Sequence, residues 1–145
     1  PALYIGTLSA VVLGGASTIG SVSLGYEFGV SGMWLVFMIG LGIITDYRNM
    51  SAYAGGALKF HMRTTTASTF KIGINTSFGD SWVDFVAGGQ NYGLVRDGQW
   101  HAVTIPFSAF YDLDLQAVKQ MFMVVADPPA QHVELFIDNV YYQSP

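Results

Sequence analysis

Apolar and polar residues alternate in short runs through the last two-thirds of the chain. A period of two predicts β-strands that bury one side and expose the other. The apolar positions of these runs are Leu58, Phe60 and Met62, then Phe70, Ile72 and Ile74, then Val83 and Phe85. Further apolar runs cover residues 100–105, 121–126 and 133–142, with turn signals between them. This spacing predicts an all-β fold, a β-sandwich (jelly roll) of two antiparallel sheets.

Residues 1–48 differ from the rest of the chain because they are almost uncharged. Their charged residues are Glu27, Asp46 and Arg48. The uncharged run from Phe28 to Thr45 reaches the lower end of the length that spans a bilayer, about 17 residues. Strand-length apolar runs at 11–13, 21–28 and 34–39 are instead typical of buried strands. Within a single domain of residues 1–145, the segment is therefore either a set of strands or an appended arm, and we do not expect it to enter a membrane.

The same segment carries a second pattern. A Gly-Gly-Ala-Ser-Thr stretch precedes a Gly-Tyr pair and then a Ser-Gly-Met-Trp turn. In this order, residues 3–44 resemble a transmembrane hairpin of sodium/solute symporters. The resemblance covers under a third of the chain, and such a carrier needs many more spans to enclose a site at the membrane midplane. It therefore does not imply transport.

Composition and charge exclude several functional classes. The formal net charge of −4 leaves no basic field for phosphate, so we expect no nucleic-acid partner. The chain has no cysteine, which removes disulfides, thiolate metal sites and thiol nucleophiles. No basic stretch precedes the first apolar run, and the first residue is Pro1, so we expect a fragment or a processed product rather than an intact signal peptide.

The residues needed for catalysis are not arranged in a recognisable way. Glycoside hydrolysis requires two carboxylates that face each other across a cleft, and no pair in this sequence lies on clearly facing elements. The chain has no Gly-x-Ser-x-Gly elbow, and His61, His101 and His132 lack the spacing of a zinc site. We therefore predict that the protein is not an enzyme.

Blocks of sequence between residues 50 and 143 point to a family. In order they read MSAYAGGALKFHMRT, FKIGI, SWVDF, YGLVRDGQWHAVTIPFSAF, LDLQAVKQMFMVVADPP and VELFIDNVYY. They resemble the β-jelly-roll carbohydrate-binding modules that are attached to polysaccharide hydrolases. The resemblance implies non-catalytic binding of a polysaccharide such as a β-glucan, which targets a linked enzyme to it, and a secreted, extracellular protein.

The resemblance also implies a metal. Asp138, in the block ELFIDN, lies where these modules place an acidic ligand of a structural calcium. Calcium takes six or more oxygen ligands. Glu27 or Asp46 would be candidates to supply further ones. The alternative is that Asp138 and Asn139 form a turn and cap backbone groups.

Binding of sugar requires an aromatic platform next to planar polar groups, because sugar rings have flat apolar faces edged by hydroxyls. The alternation places one set of polar side chains on the side opposite to Phe60, Ile72 and Phe85. We predict that this single exposed face binds the ligand, although any solvated sheet face shows the same alternation. The predicted ligand-binding residues are His61, Arg63, Lys71, Asn75, Trp82, Asp84 and, in a loop, Tyr92. We expect Trp100 in the core, since large aromatic residues more often pack than bind.

A second function also fits the sequence. The apolar N-terminal segment stands where such modules usually have polar strands. If it leaves the sandwich incomplete, an open sheet edge would pair with a neighbouring chain. The alternative to glycan binding is thus a structural or assembly protein, a homo-oligomer joined through this arm.

Overall fold

A computed structural model describes residues 2–13, 28–31, 36–89, 91–126 and 133–145. Within these ranges the regular elements are strands, apart from two single turns of 3-10 helix at Ser51–Tyr53 and Phe107–Ala109. The strands are β1 (Ala2–Leu13), β2 (Phe28–Ser31), β3 (Val36–Arg48), β4 (Ala57–Arg63), β5 (Phe70–Thr76), β6 (Gly79–Phe85), β7 (His101–Pro106), β8 (Val118–Ala126) and β9 (Val133–Gln143). The predicted all-β class is confirmed.

The strands form two antiparallel sheets. Sheet A has the order β1-β9-β4-β7, and sheet B has the order β2-β3-β8-β5-β6. All pairs within them are antiparallel. This confirms the predicted β-sandwich. The consecutive strands β4 and β5 belong to different sheets, so the short connection at residues 64–69 crosses from one layer to the other.

The apolar N-terminal segment contributes strands to both sheets. β1 pairs with β9 from Ala2 opposite Gln143 to Leu13 opposite Val133. β3 pairs with β8, and β2 pairs with β3 at the edge of sheet B. Most of the predicted strand at 21–28 lies outside the described residues. Homo-oligomerisation through this segment stays a prediction. Within the described ranges, no helix is long and apolar enough to cross a membrane.

Aromatic side chains from both inner faces form the core between the sheets. Phe60 of sheet A meets Phe122 of sheet B edge-on, with ring centroids 5.4 Å apart. Phe70 stacks on Phe85 within sheet B at 5.0 Å. Tyr142 is fully buried, its hydroxyl donates a hydrogen bond to the Met121 carbonyl (2.8 Å), and burial raises its pKa well above the usual value. The hydroxyl therefore stays neutral, and its polar atom is satisfied inside the core.

Arg96 fixes the loops at one end of the sandwich. Its guanidinium donates to the carbonyls of Thr66 (2.9 Å), Ser68 (2.8 Å) and Phe85 (3.1 Å), and to the side-chain oxygen of Asn91 (3.2 Å). Partial burial lowers the pKa of this side chain. The connection between β4 and β5 is thereby tied to the end of β6 and to the loop that follows it.

The core contact between the sheets gives a stability prediction. We expect Phe122→Ala to lower the free energy of unfolding by about 3–5 kcal/mol, because a large buried ring is replaced by a cavity. Phe78→Ala is the matched control, since Phe78 is 67% exposed and surface changes usually stay within about 0.5 kcal/mol. Urea unfolding of both variants measures the difference. Equal losses in the two variants would contradict the assignment of the core.

Candidate functional site

The predicted ligand-binding residues lie on two opposite surfaces. In β4 the burial alternates, so that His61 and Arg63 lie on the outer face of sheet A. Lys71, Asn75, Trp82 and Asp84 lie on the outer face of sheet B. The prediction of one shared face is therefore wrong. Alternation separates inside from outside, but β4 and β5 enter different sheets, and their outsides point in opposite directions.

We call the outer surface of β5 and β6 the Trp82 face. It contains Lys71, Gly73 and Asn75 from β5 and Asp80, Trp82 and Asp84 from β6. The register sets these residues in cross-strand pairs, with Lys71 opposite Asp84, Gly73 opposite Trp82 and Asn75 opposite Asp80. Four of the predicted ligand-binding residues thus come together within one hairpin.

The Trp82 indole packs over Gly73. A Cβ atom at Gly73 would lie 2.3 Å from Cε3 and 2.4 Å from Cζ3 of the indole, so the six-membered ring covers the bare backbone there. The same row continues to Met123 of β8, which pairs with Gly73 and is only 1% exposed. Trp82 itself stays partly exposed. The face therefore has an apolar centre with an accessible aromatic ring.

Polar groups with mixed character surround this ring. The Asn75 side-chain amide donates a hydrogen bond to Asp80 (2.6 Å), which orients both groups. Asp84 is exposed, and it lies opposite the one lysine of the face, Lys71. Donors and acceptors are thus interspersed around the aromatic ring, as the recognition of hydroxyl groups requires.

Trp100 is not in the core, in contrast to the prediction. Its side chain is 46% exposed. The reason lies in the phase of β7, in which Val103 and Ile105 point inward while Ala102 and Thr104 are exposed. An even-numbered position just before this strand belongs to the outward set.

Trp100 belongs to a row of side chains on sheet A that we call the Arg63 row, made of Trp100, Arg63 and Phe136. The Arg63 guanidinium carbon lies 5.4 Å from the centroid of the Trp100 ring and 4.3 Å from that of Phe136. Phe136 lies opposite Arg63 in the register of β9 and β4. Sequence reasoning missed both aromatic partners. The alternation of the strands was the available signal. In β9, for example, Leu135 and Ile137 are buried, so Phe136 between them faces outward.

A short-range contact fixes the turn that carries Trp100. The Asp97 carboxylate accepts a hydrogen bond from the Gln99 backbone N–H (2.9 Å) and contacts His101 Nε2 at 2.8 Å. These hydrogen bonds, of which the one to the His101 side chain has the largest effect, lower the Asp97 pKa. The turn therefore closes directly against the first residue of β7.

Tyr92 lies at the edge of sheet A rather than on either face. It has a left-handed backbone (φ 51°), and its ring packs 5.6 Å from that of Phe85. Its carbonyl accepts a hydrogen bond from the Thr104 backbone N–H (3.0 Å), so this loop covers part of the free edge of β7. Its predicted role in ligand binding stays a prediction.

Asp138 is exposed on β9, and its side chain contacts the backbone of the next residue. Its carboxylate accepts a hydrogen bond from the Asn139 N–H (2.7 Å), and Asn139 has a left-handed backbone (φ 55°). Glu27 lies outside the described residues. No group of three or more His, Asp or Glu side chains that could hold a metal occurs in the part of the chain that is described. Because Glu27 and the side chain of Asp46 lie outside what the structure describes, calcium stays a prediction.

A comparison with known protein families shows which family the chain belongs to. Residues 11–144 match the family of carbohydrate binding domain 30. The chain belongs to this family. The match includes most of the apolar N-terminal segment together with both candidate faces, and it confirms the resemblance to carbohydrate-binding modules that the sequence blocks indicate.

Solved structures agree with this assignment. The family 30 carbohydrate-binding module of the cellulosomal cellulase Cel9D-Cel44B of Clostridium thermocellum is 13% identical, with a TM-score of 0.61 over 99% of this chain and 98% of that one. Another crystal structure of a family 30 carbohydrate-binding module is 13% identical, with a TM-score of 0.64 over 100% of this chain and 99% of that one. At these identities the likeness shows the fold. No curated protein matches the chain.

The family assignment confirms the predicted function at its general level. This chain is a carbohydrate-binding module, a family whose role is the non-catalytic binding of carbohydrate. The module presents two outer sheet faces, each of which carries a partly exposed or exposed tryptophan. The two faces differ in the residues that lie opposite their charged groups: Lys71 lies opposite Asp84, and Arg63 lies opposite Phe136.

Asp97 in this module gives a pH prediction. A carboxyl with a lowered folded pKa adds stability above its unfolded pKa, about 3.9, and this stability is lost as the pH falls through the folded value. We expect His101→Ala to raise the Asp97 pKa towards the ordinary value, as measured by NMR titration of the carboxyl carbon. Thr104→Ala, at an exposed position on the same strand, is the control. An unchanged Asp97 pKa in His101→Ala would show that the contact does not form.

Proposed function

We propose that this module binds a β-glucan, or a similar neutral polysaccharide, on the Trp82 face, and that it brings a linked enzyme to that substrate. The observation that carries the proposal is the position of the Trp82 ring over Gly73. A tryptophan supported by bare backbone is a rigid platform, and its binding costs little conformational entropy. A pyranose ring offers the matching flat apolar surface.

The charges of the Trp82 face favour a neutral ligand. Its lysine lies opposite Asp84, and its amide is hydrogen-bonded to Asp80. The two carboxylates, Asp80 and Asp84, outnumber the single lysine, so a strongly anionic chain would be repelled. Hydroxyl groups, by contrast, both donate and accept, and they match such a mixed surface.

The similar structures support this choice of ligand. One of them is the module of a cellulosomal cellulase, an enzyme of a class that acts on a β-glucan. On the same ground we infer an extracellular location and a linked polysaccharide hydrolase. The roles of Lys71, Asn75 and Asp84 as hydrogen-bonding partners of the glucan are part of the proposal.

Replacement of the platform tests the proposal directly. We expect Trp82→Ala to weaken binding to soluble mixed-linkage β-glucan by at least about tenfold, since loss of a central aromatic contact costs about 2 kcal/mol or more. Affinity electrophoresis measures the loss. Trp100→Ala is the matched control, because it removes the exposed tryptophan of the opposite face. A folded wild-type module that shows no retardation, or equal loss in both variants, would refute the assignment.

Gly73→Ala tests whether the position of the indole over Gly73 matters for binding, without removing the ring. The new methyl group would overlap Cε3 and Cζ3 of Trp82, which are side-chain atoms that can move. We therefore expect the fold to persist, the tryptophan fluorescence to change, and the affinity for β-glucan to fall. Gly89→Ala, at a site away from the face where the nearest atom is the Val86 carbonyl oxygen at 3.2 Å, is the control. Unchanged affinity in folded Gly73→Ala would mean that the position of the ring is irrelevant to binding.

A further inference from the structure

Arg63 is the most unusual charged side chain on the outer face of sheet A. Its guanidinium is held over the ring of Phe136 at 4.3 Å and beside that of Trp100 at 5.4 Å. No hydrogen bond or ion pair joins this guanidinium to another residue in the described ranges. A guanidinium has five N–H donors in a fixed plane. Here two aromatic rings fix its position, while its donors stay available.

A groove lies next to this guanidinium. It has a volume of about 220 Å³ and is lined by Arg63, Thr64, Thr65, Gly98 and Phe136. The Gly98 backbone N–H donates a hydrogen bond to the Thr64 carbonyl (3.0 Å), which ties the two walls together. Thr65 is exposed at the rim. The groove therefore offers a small concave space, one cation, one aromatic wall and a hydroxyl group.

The charge distribution around the groove differs from that of the Trp82 face. Lys59, His61 and Arg63 occupy successive outward positions of β4. Across the strand pairs, Asp138 lies opposite His61, whereas Arg63 lies opposite an aromatic residue. Lys71 on the Trp82 face, by comparison, lies opposite Asp84. Arg63 thus lies opposite no carboxylate in these pairs. A carboxylate matches a guanidinium best, because the pair forms two parallel hydrogen bonds.

We propose that this groove is a second glycan site, and that it binds the carboxylate of a uronic acid unit in an acidic polysaccharide. Arg63 binds the carboxylate, Thr65 donates to or accepts from a ring hydroxyl, and the exposed ring of Trp100 supports the neighbouring sugar. The two sites lie on opposite surfaces of the sandwich. A module of this kind contacts a neutral and an acidic chain at the same time, and it links the two components of a mixed polysaccharide wall.

The test uses polygalacturonate as the acidic probe in affinity electrophoresis. Fully methyl-esterified galacturonan is the matched neutral probe, because it keeps the ring hydroxyls and loses the free carboxylate. We expect polygalacturonate to retard the wild-type module and the esterified probe not to retard it. In Arg63→Met we expect the affinity for polygalacturonate to fall about tenfold or more, since charge-assisted bidentate hydrogen bonds are lost. Arg63→Lys keeps the charge without the planar fork, and we expect intermediate binding. Trp82→Ala is expected to bind polygalacturonate like the wild type.

The outcomes separate this inference from the proposed β-glucan site. Loss of polygalacturonate binding in Arg63→Met, with β-glucan binding retained, supports the second site. Equal retardation by the esterified probe, or normal binding of polygalacturonate by folded Arg63→Met, overturns it. Backbone NMR shifts of Thr65 and Gly98 on addition of trigalacturonate give an independent measurement in the wild-type protein. If these two signals do not move, the groove does not bind uronate, whatever the Trp82 face binds.

Discussion

The packing of the two inner sheet faces against each other is the constraint on which the rest of the structure depends. Phe60 of sheet A meets Phe122 of sheet B, and fully buried side chains continue this layer along both sheets. Because side chains alternate along a strand, each residue fixed inward also fixes its two neighbours outward. The aromatic core therefore determines which residues reach solvent, and the exposed faces are a direct consequence of it.

The two outer faces use tryptophan in different ways. On sheet B the Trp82 ring covers Gly73, and the charged and amide groups around it lie opposite partners of complementary character. On sheet A, Trp100 is a neighbour of the Arg63 guanidinium. A neutral sugar with many hydroxyls suits the first surface, and a group that brings its own negative charge suits the second. One sandwich can in this way present two chemically distinct binding surfaces.

Arg63 and Arg96 show how much the surroundings of a side chain decide its role. Arg96 donates to three backbone carbonyls and one side-chain oxygen, so its hydrogen bonds hold loops together. Arg63 contacts two aromatic rings and keeps its donors free of other described residues. The first arrangement stabilises the protein, whereas the second leaves binding capacity for a ligand. Both guanidinium groups lie beside an aromatic ring, and that of Arg96 is 5.1 Å from the centroid of Phe70, so the hydrogen-bond partners within reach make the difference.

The sequence by itself determined the fold class, the strands and the inward or outward direction of most side chains. These properties depend on local periodicity: the runs predicted at 100–105, 121–126 and 133–142 match β7, β8 and β9 to within a few residues. The position of Trp100 was also encoded in the parity of β7, although its size suggested a core residue. Only the tertiary structure decided which outward residues share a surface. Strands β4 and β5 carry the same alternation, but the connection at 64–69 sends them to different sheets, and a period-two pattern holds no information about which sheet a strand joins.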